Sequence, residues 1–187
     1  MEVDPNASLK EAVAQFYTRH GFPVDGGVSA KRWSPVGCRD LKVYLPNFEW
    51  RRRALPLHDI HHVLTGYPFR PTGEFEMAAW EFAAGRYPNP LSTLFCLPLV
   101  SMGACVVPRR SFSAFVRGKH SRTLYQGYAY PELLERRVAD VRAEILPSAP
   151  VAATPRHYLE YLALVACSVS VIALPLLGIA FVLAEIF

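Results

Sequence analysis

Three of the chain's six histidines, His58, His61 and His62, fall within five consecutive residues, with Asp59 among them. Imidazole and carboxylate are donors that divalent first-row metals accept. A helix turns about 100° per residue, so with His58 at zero, His62 falls at about 40°, Asp59 at about 100° and His61 at about −60°. His58, Asp59 and His62 therefore share one arc. His61 lies outside it, and Leu57, Ile60 and Leu64 take the opposite side, toward a core. Two imidazoles at i and i+4 with a carboxylate nearby are what a helix can offer a divalent ion. The competing arrangement is an amphipathic helix whose His and Asp face water.

Ligands from one helix leave such a site incomplete. The nearest acidic supplement is Glu74, expected in the first turn of the next helix, where the helix dipole favours the ionised form. Glu81, seven residues on, shares its face and is expected either to support the ligands or to substitute for one; His61 is a second candidate for that supporting role.

These residues need elements to carry them. The histidine stretch reads as a helix from about Pro56 to Gly66, with proline in the first turn and glycine at the stop. After the turn "GYPFRP", Thr72 is expected to cap a second helix with the apolar stripe Phe75, Ala78, Ala79 and Phe82, ended by Gly85. Upstream, Ser8 or Asn6 caps a helix carrying Leu9, Ala12, Val13, Phe16 and Tyr17, stopped by Gly21. "GFPVDGGVSAKRWSPVGC" reads as loop, and "LKVYLP" as a strand or an extended arm.

Residues 89–107 are apolar but interrupted by Pro98 and Gly103. Pro98 and Ser101 favour buried core helices or the wall of a lipid-lined pocket over a second membrane span. Arg109, Arg110, Arg117 and Lys119 follow with no acid among them, suited to clamp an anionic substrate or to rest on anionic lipid. "YPELLERRVADVRAEIL" reads as one charged amphipathic helix with Leu133, Leu134, Val138, Val141 and Ile145 inward.

With 187 residues the chain suits one domain and an appendage. Hydrophobic residues make up 51%, and the excess lies at the C-terminus. Tyr161 to Ala184 contains no charge and as a helix reaches about 36 Å, against a hydrocarbon core of about 30 Å. A buried core helix is the competing reading, disfavoured because such a helix is rarely apolar on every face. All 20 Lys and Arg precede the segment, which by the positive-inside rule places the N-terminal domain on the cytoplasmic side. The expected organisation is an all-α fold: a helical domain over 1–146, a linker over 147–156 and a transmembrane anchor over 157–187, with Pro175 as a point of kinking. Cys38, Cys96, Cys105 and Cys167 form no CxxC pair and read as packed, reduced thiols. The N-terminus has no basic start followed by an apolar run, so no signal peptide is expected.

"HDIHHVLTGYPFRPTGE" satisfies His-Asp-x-x-His, eleven residues, Glu, and in this it resembles the Coq-four family of coenzyme Q biosynthesis; "HVLTG" is similar as well. The resemblance extends more softly over residues 41–146, including "FVRGKHSRTLY". It implies a helical fold, a divalent metal usually taken as zinc, membrane association, and prenylated quinone precursors as ligands, with other quinone-biosynthesis proteins as partners. It also implies a role in removing the ring carboxyl at C1, with hydroxylation there, and makes His58, Asp59, His62 and Glu74 the metal ligands. The C-terminal span and the short region before Leu41 depart from the family pattern.

"HDIHH" also matches the HxxHH box of di-iron membrane desaturases and hydroxylases, but those need several boxes, and His20, His120 and His157 stand isolated. A non-catalytic lipid-binding or scaffold protein with a structural metal is the remaining alternative. No nucleic-acid partner is expected, because no recognition motif accompanies the basic residues.

Overall fold

The computed structural model describes residues 3–26, 33–36, 43–46, 48–85 and 87–186. Helix α1 (Leu9–His20) opens on a reciprocal cap: the Glu11 amide donates to Ser8 Oγ, and the Ser8 amide donates to Glu11 Oε2 at 2.9 Å. Its expected stripe from Leu9 to Tyr17 is buried, and Gly21 ends it with φ of 69°.

The stretch read as loop contains strand β1 (Trp33–Val36), which pairs antiparallel with β2 (Val43–Pro46) in the register Trp33 to Pro46 and Val36 to Val43. "LKVYLP" is thus partly a strand. A two-stranded ribbon has only edges, so Pro35 and Pro46 are accommodated where a central strand would exclude them. Cys38 lies outside the described residues.

Helix α2 (Glu49–Thr65) begins seven residues before the expected start, and Pro56 lies inside it. The residues preceding Pro56, "EWRRRAL", are mostly good helix formers and carry the helix back past the proline, at the cost of one backbone hydrogen bond. At the other end Gly66 adopts φ of 79°. The terminal carbonyls are taken by arginines: Arg142 donates to Leu64 and Val63 at 2.9 and 3.1 Å, and Arg117 to Thr65 at 2.9 Å.

Helix α3 (Pro71–Ala84) starts at proline, with Arg70 as its cap, so Thr72 falls within the first turn and does not cap it. The turn before α3 is tight: a Cβ on Gly73 would lie 1.7 Å from the Pro68 carbonyl oxygen. This close approach holds the start of α3 beneath the end of the Tyr67–Arg70 link, and Glu74 follows directly.

Helices α4 (Pro90–Cys96), α5 (Pro98–Val106) and α6 (Pro108–Gly118) follow. The break at Pro98 is the expected one. Burial is not: Ser92, Val100 and Ser101 face inward, while Leu91, Leu94, Phe95, Met102 and Val106 are exposed, so these are not simply core helices. Gly118 lets α6 press on α3, since a Cβ there would meet the Trp80 carbonyl at 2.5 Å.

The expected single helix after Tyr130 is two, α7 (Tyr130–Leu134) and α8 (Val138–Ile145). The N-terminal segment causes the break by taking the backbone there: the Leu9 amide donates to Arg136, and the amides of Val138 and Ala139 donate to Ala7 and Pro5. Leu133, Val138, Val141 and Ile145 are nevertheless buried as expected, in a core shared with Leu9, Ile60, Met77 and Trp80.

Helix α9 (Pro155–Ile186) is continuous through Pro175. It is long and apolar enough to cross a membrane, and only 11% of its most apolar stretch is buried, which separates it from a core helix. Its first turns pack on the domain through the Tyr161 hydroxyl to Ser111 Oγ at 2.7 Å and the Phe112–Tyr158 ring stack.

Candidate metal centre

α2 brings His58 and His62 one turn apart, and the start of α3 brings Glu74 against both. The two Nε2 atoms are 3.2 Å apart; Glu74 Oε2 lies 3.2 Å from His58 Nε2 and Oε1 lies 3.2 Å from His62 Nε2. Among the described residues these three form a group that could hold a metal ion.

The hydrogen bonds behind the rings decide what the rings present. His62 Nδ1 is 2.9 Å from the Tyr67 carbonyl, which only accepts, so Nδ1 carries the proton and Nε2 a lone pair. His58 Nδ1 faces Glu81 Oε1 at 3.1 Å, and the same assignment follows. Two lone pairs and a carboxylate then converge, with Glu74 Oε1 buried and given no donor. Such a set is satisfied by a cation. Ligand edges of about 3.3 Å are those of a tetrahedral ion with bonds of about 2.0–2.1 Å, close to the spacing seen. Donor chemistry and spacing both fit a divalent metal.

A proton is the competing occupant. Burial opposes a charge on His58, but Glu81 and Glu74 beside it push its pKa well above the ordinary value. Burial likewise opposes ionisation of Glu74, but His62 and His58 hold that carboxyl at about 2.

Glu81 stands behind His58 and is not in the convergent group. Its Oε1 accepts from His58, from His61 Nδ1 at 2.7 Å and from the Tyr125 hydroxyl at 2.7 Å; its Oε2 accepts from Tyr87 at 2.7 Å. Burial is outweighed by the charges and hydrogen bonds of His58 and His61, and the carboxyl is held well below its ordinary range. His61 is fully buried, and its Nε2 accepts from the Leu124 amide at 2.9 Å, so the ring is neutral, with its pKa lowered first by burial. Glu81 thus contacts His58, His61 contacts Glu81, and neither is in the convergent group.

Asp59 is different. The sequence placed it on the metal-facing arc, yet its Oδ2 accepts from the Tyr17 hydroxyl at 3.0 Å, and it is not among the converging ligands. At the edge of that arc it meets α1. Burial pushes its carboxyl up to about 6 against the charges of His58 and His62. Phe16 and Phe69 complete the apolar wall, stacking on and abutting the His62 ring.

Three of the four basic residues expected to clamp an anion have other described partners. Arg110 pairs with Glu76, Arg117 caps α2 and lies over the Tyr67 ring, and Lys119 pairs with Glu160 at 2.9 Å. Arg109 is exposed. None of the four is brought to the convergent group. Sequence reasoning missed Tyr17, Tyr87, Tyr125 and the Tyr67 carbonyl. No spacing marks them, since they reach the site from separate elements.

Comparison with protein-family models, curated proteins and solved structures finds no match.

Proposed function

We propose that this chain is a membrane-anchored, metal-binding protein of ubiquinone biosynthesis, of the Coq-four kind, acting on a prenylated ring precursor in the loss of its C1 carboxyl. The observation that carries the proposal is the convergence of His58, His62 and Glu74, three of the four motif residues, on one point. Zinc is the proposed ion, because two imidazoles and one carboxylate are a donor set it accepts with a position left open. When bound, such an ion would neutralise a phenolate or carboxylate and accept electron density as carbon dioxide leaves.

The chain's own residues hold and orient. Glu81 and the Tyr67 carbonyl fix both imidazole tautomers, Phe16 and Phe69 exclude water from one side, and Asp59 holds a proton beside the group at mildly acid pH. In the proposed arrangement α9 crosses the membrane with the domain on the cytoplasmic side, and other quinone-biosynthesis proteins are its partners. A scaffold with a structural metal is the second reading, but a closed structural site takes four protein ligands, and Asp59 is turned to Tyr17.

The test is metal content of the detergent-purified protein beside His62→Ala, followed by prenylated precursors in cells carrying Glu74→Ala. The proposal expects about one zinc per chain, lost in the first variant, and accumulation of a carboxylated precursor in the second. No metal in the wild type, or unchanged precursors in the second variant, overturns it.

A further inference from the structure

Helices α4 and α5 are inside out. On the inner side Ser92 is 1% exposed and Ser101 6%, while Leu91, Leu94 and Val106 are 55%, 53% and 60% exposed. The exposed residues Leu91, Leu94, Phe95, Met102 and Val106 recur at helical spacing, so one apolar stripe runs along both helices. A helix in water places its serines outward and leucines inward; the reverse belongs to a helix whose surroundings are more apolar than its protein neighbours.

The same inversion occurs in α9, and the two meet. Ser168 is fully buried while Leu162 and Val169 are exposed. Its Oγ donates to the Leu97 carbonyl at 2.6 Å, lies 2.9 Å from Ser101 Oγ, and accepts from the Ser101 amide at 3.0 Å. The Ser101 amide, the Leu97 carbonyl and the Ser168 hydroxyl are thus satisfied across the contact, as a hydrocarbon environment demands, while Ser92 Oγ is buried without a partner. Ser168 lies about 12 Å along α9 beyond Glu160, the last charge before Glu185. Where α9 enters a bilayer, this lock carries the α4–α5 junction in with it. Residues 87–107 contain no charge, and they are bracketed in sequence by Arg86 and by Arg109 and Arg110. The 17 residues Pro90–Val106 reach about 25 Å as a helix and are bent at Pro98, too short to cross a core of about 30 Å.

We propose that α4–α5 is a second lipid-embedded element, immersed in one leaflet beside α9, so that the domain is sunk into the bilayer instead of tethered above it. The proposal rests on α9 being the span.

The test uses the full chain in phosphatidylcholine vesicles containing a minor share of phosphatidylglycerol. A fluorophore is placed on Leu94→Cys or on the native Cys167, with the other cysteines changed to serine. Quenching by doxyl-labelled lipid is compared with quenching by aqueous iodide. The expected result is lipid quenching of the same order at both positions and little effect of iodide. Cys167 quenched by lipid with position 94 open to iodide overturns the embedding and leaves the anchor standing. Position 94 shielded from both quenchers while Cys167 is lipid-quenched also overturns it, because a protein partner then covers the stripe. Neither position quenched by lipid removes the anchor and the proposal together.

Discussion

His58 Nε2 and His62 Nε2 face each other at 3.2 Å, while each ring's Nδ1 is held by an acceptor, Glu81 for one and the Tyr67 carbonyl for the other. Two neutral imidazoles so held repel unless a cation lies between them and Glu74. The affinity of this group for a metal ion would therefore depend on residues outside it, Glu81 and Tyr67.

Glu81→Gln tests this dependence. The amide gives His58, His61, Tyr87 and Tyr125 one acceptor oxygen in place of a carboxylate, and it sets an NH2 donor against another donor. Zinc affinity, measured by competition with a chelator, is expected to fall by about 10–100-fold. Wild-type affinity in this variant would show that Glu81 does not orient His58.

The pH dependence of stability reports which cation fills the group. A His58 pKa raised above 6.5 gives stabilisation that is complete below 6.5 and lost as pH rises through the raised value. A Glu74 pKa lowered from 4.5 to about 2 gives stabilisation present above 4.5 and lost as pH falls toward 2. Asp59, raised from 3.8 to about 6, costs stability as pH rises from about 3.8 to 6 and adds no further slope above that. Metal-free protein is accordingly expected to melt highest in mildly acid solution and progressively lower above neutrality. Zinc needs deprotonated ligands, so its stabilisation grows over that same alkaline range. Melting temperatures with zinc and with a chelator should diverge as pH rises; parallel curves would exclude a metal at His58, His62 and Glu74.

The sequence was readable where a local pattern fixes the outcome. Ser8, one of the two candidate caps, opens α1, and the i, i+4 spacing of His58 and His62 requires only that α2 be helical there. Glu74 was reachable because a short turn joins α2 to α3. Asp59 was misplaced because helical angle alone cannot say which neighbouring helix occupies the edge of the arc, and Tyr17 comes from 42 residues away. The same ignorance of long-range partners hid the division of α7 from α8, which is imposed by backbone pairing with residues 5–9. It also hid the exposed stripe of α4–α5, since apolar residues read alike whether lipid or protein surrounds them.

Tyr17→Phe isolates the Asp59 contact. Its hydroxyl donates to a buried carboxylate, and such a bond contributes about 1.5–3 kcal/mol. The Tyr17 bond lowers the Asp59 pKa, so its removal raises that pKa further above 6. The loss of unfolding free energy should be largest above neutrality, where Asp59 must be ionised, and should shrink by pH 4, where it is protonated in both proteins. Denaturant unfolding at the two pH values measures this; an equal loss at both would mean that Tyr17 acts by packing alone. Zinc stoichiometry should be unchanged, because Asp59 is not one of the converging ligands.

Gly73→Ala probes how the turn sets the site. The new Cβ would lie 1.7 Å from the Pro68 carbonyl oxygen, and that atom is backbone and cannot rotate away. The Pro68–Arg70 turn or the first turn of α3 must move, and Glu74 moves with it, while the apolar contacts of Ala78, Ala79 and Trp80 deeper in α3 remain to hold the helix. Zinc binding is thus expected to fall more than helical content. Zinc content and far-ultraviolet circular dichroism on the same sample separate the two effects. Full zinc occupancy with unchanged affinity would show that Glu74 reaches the imidazoles independently of the turn that precedes it.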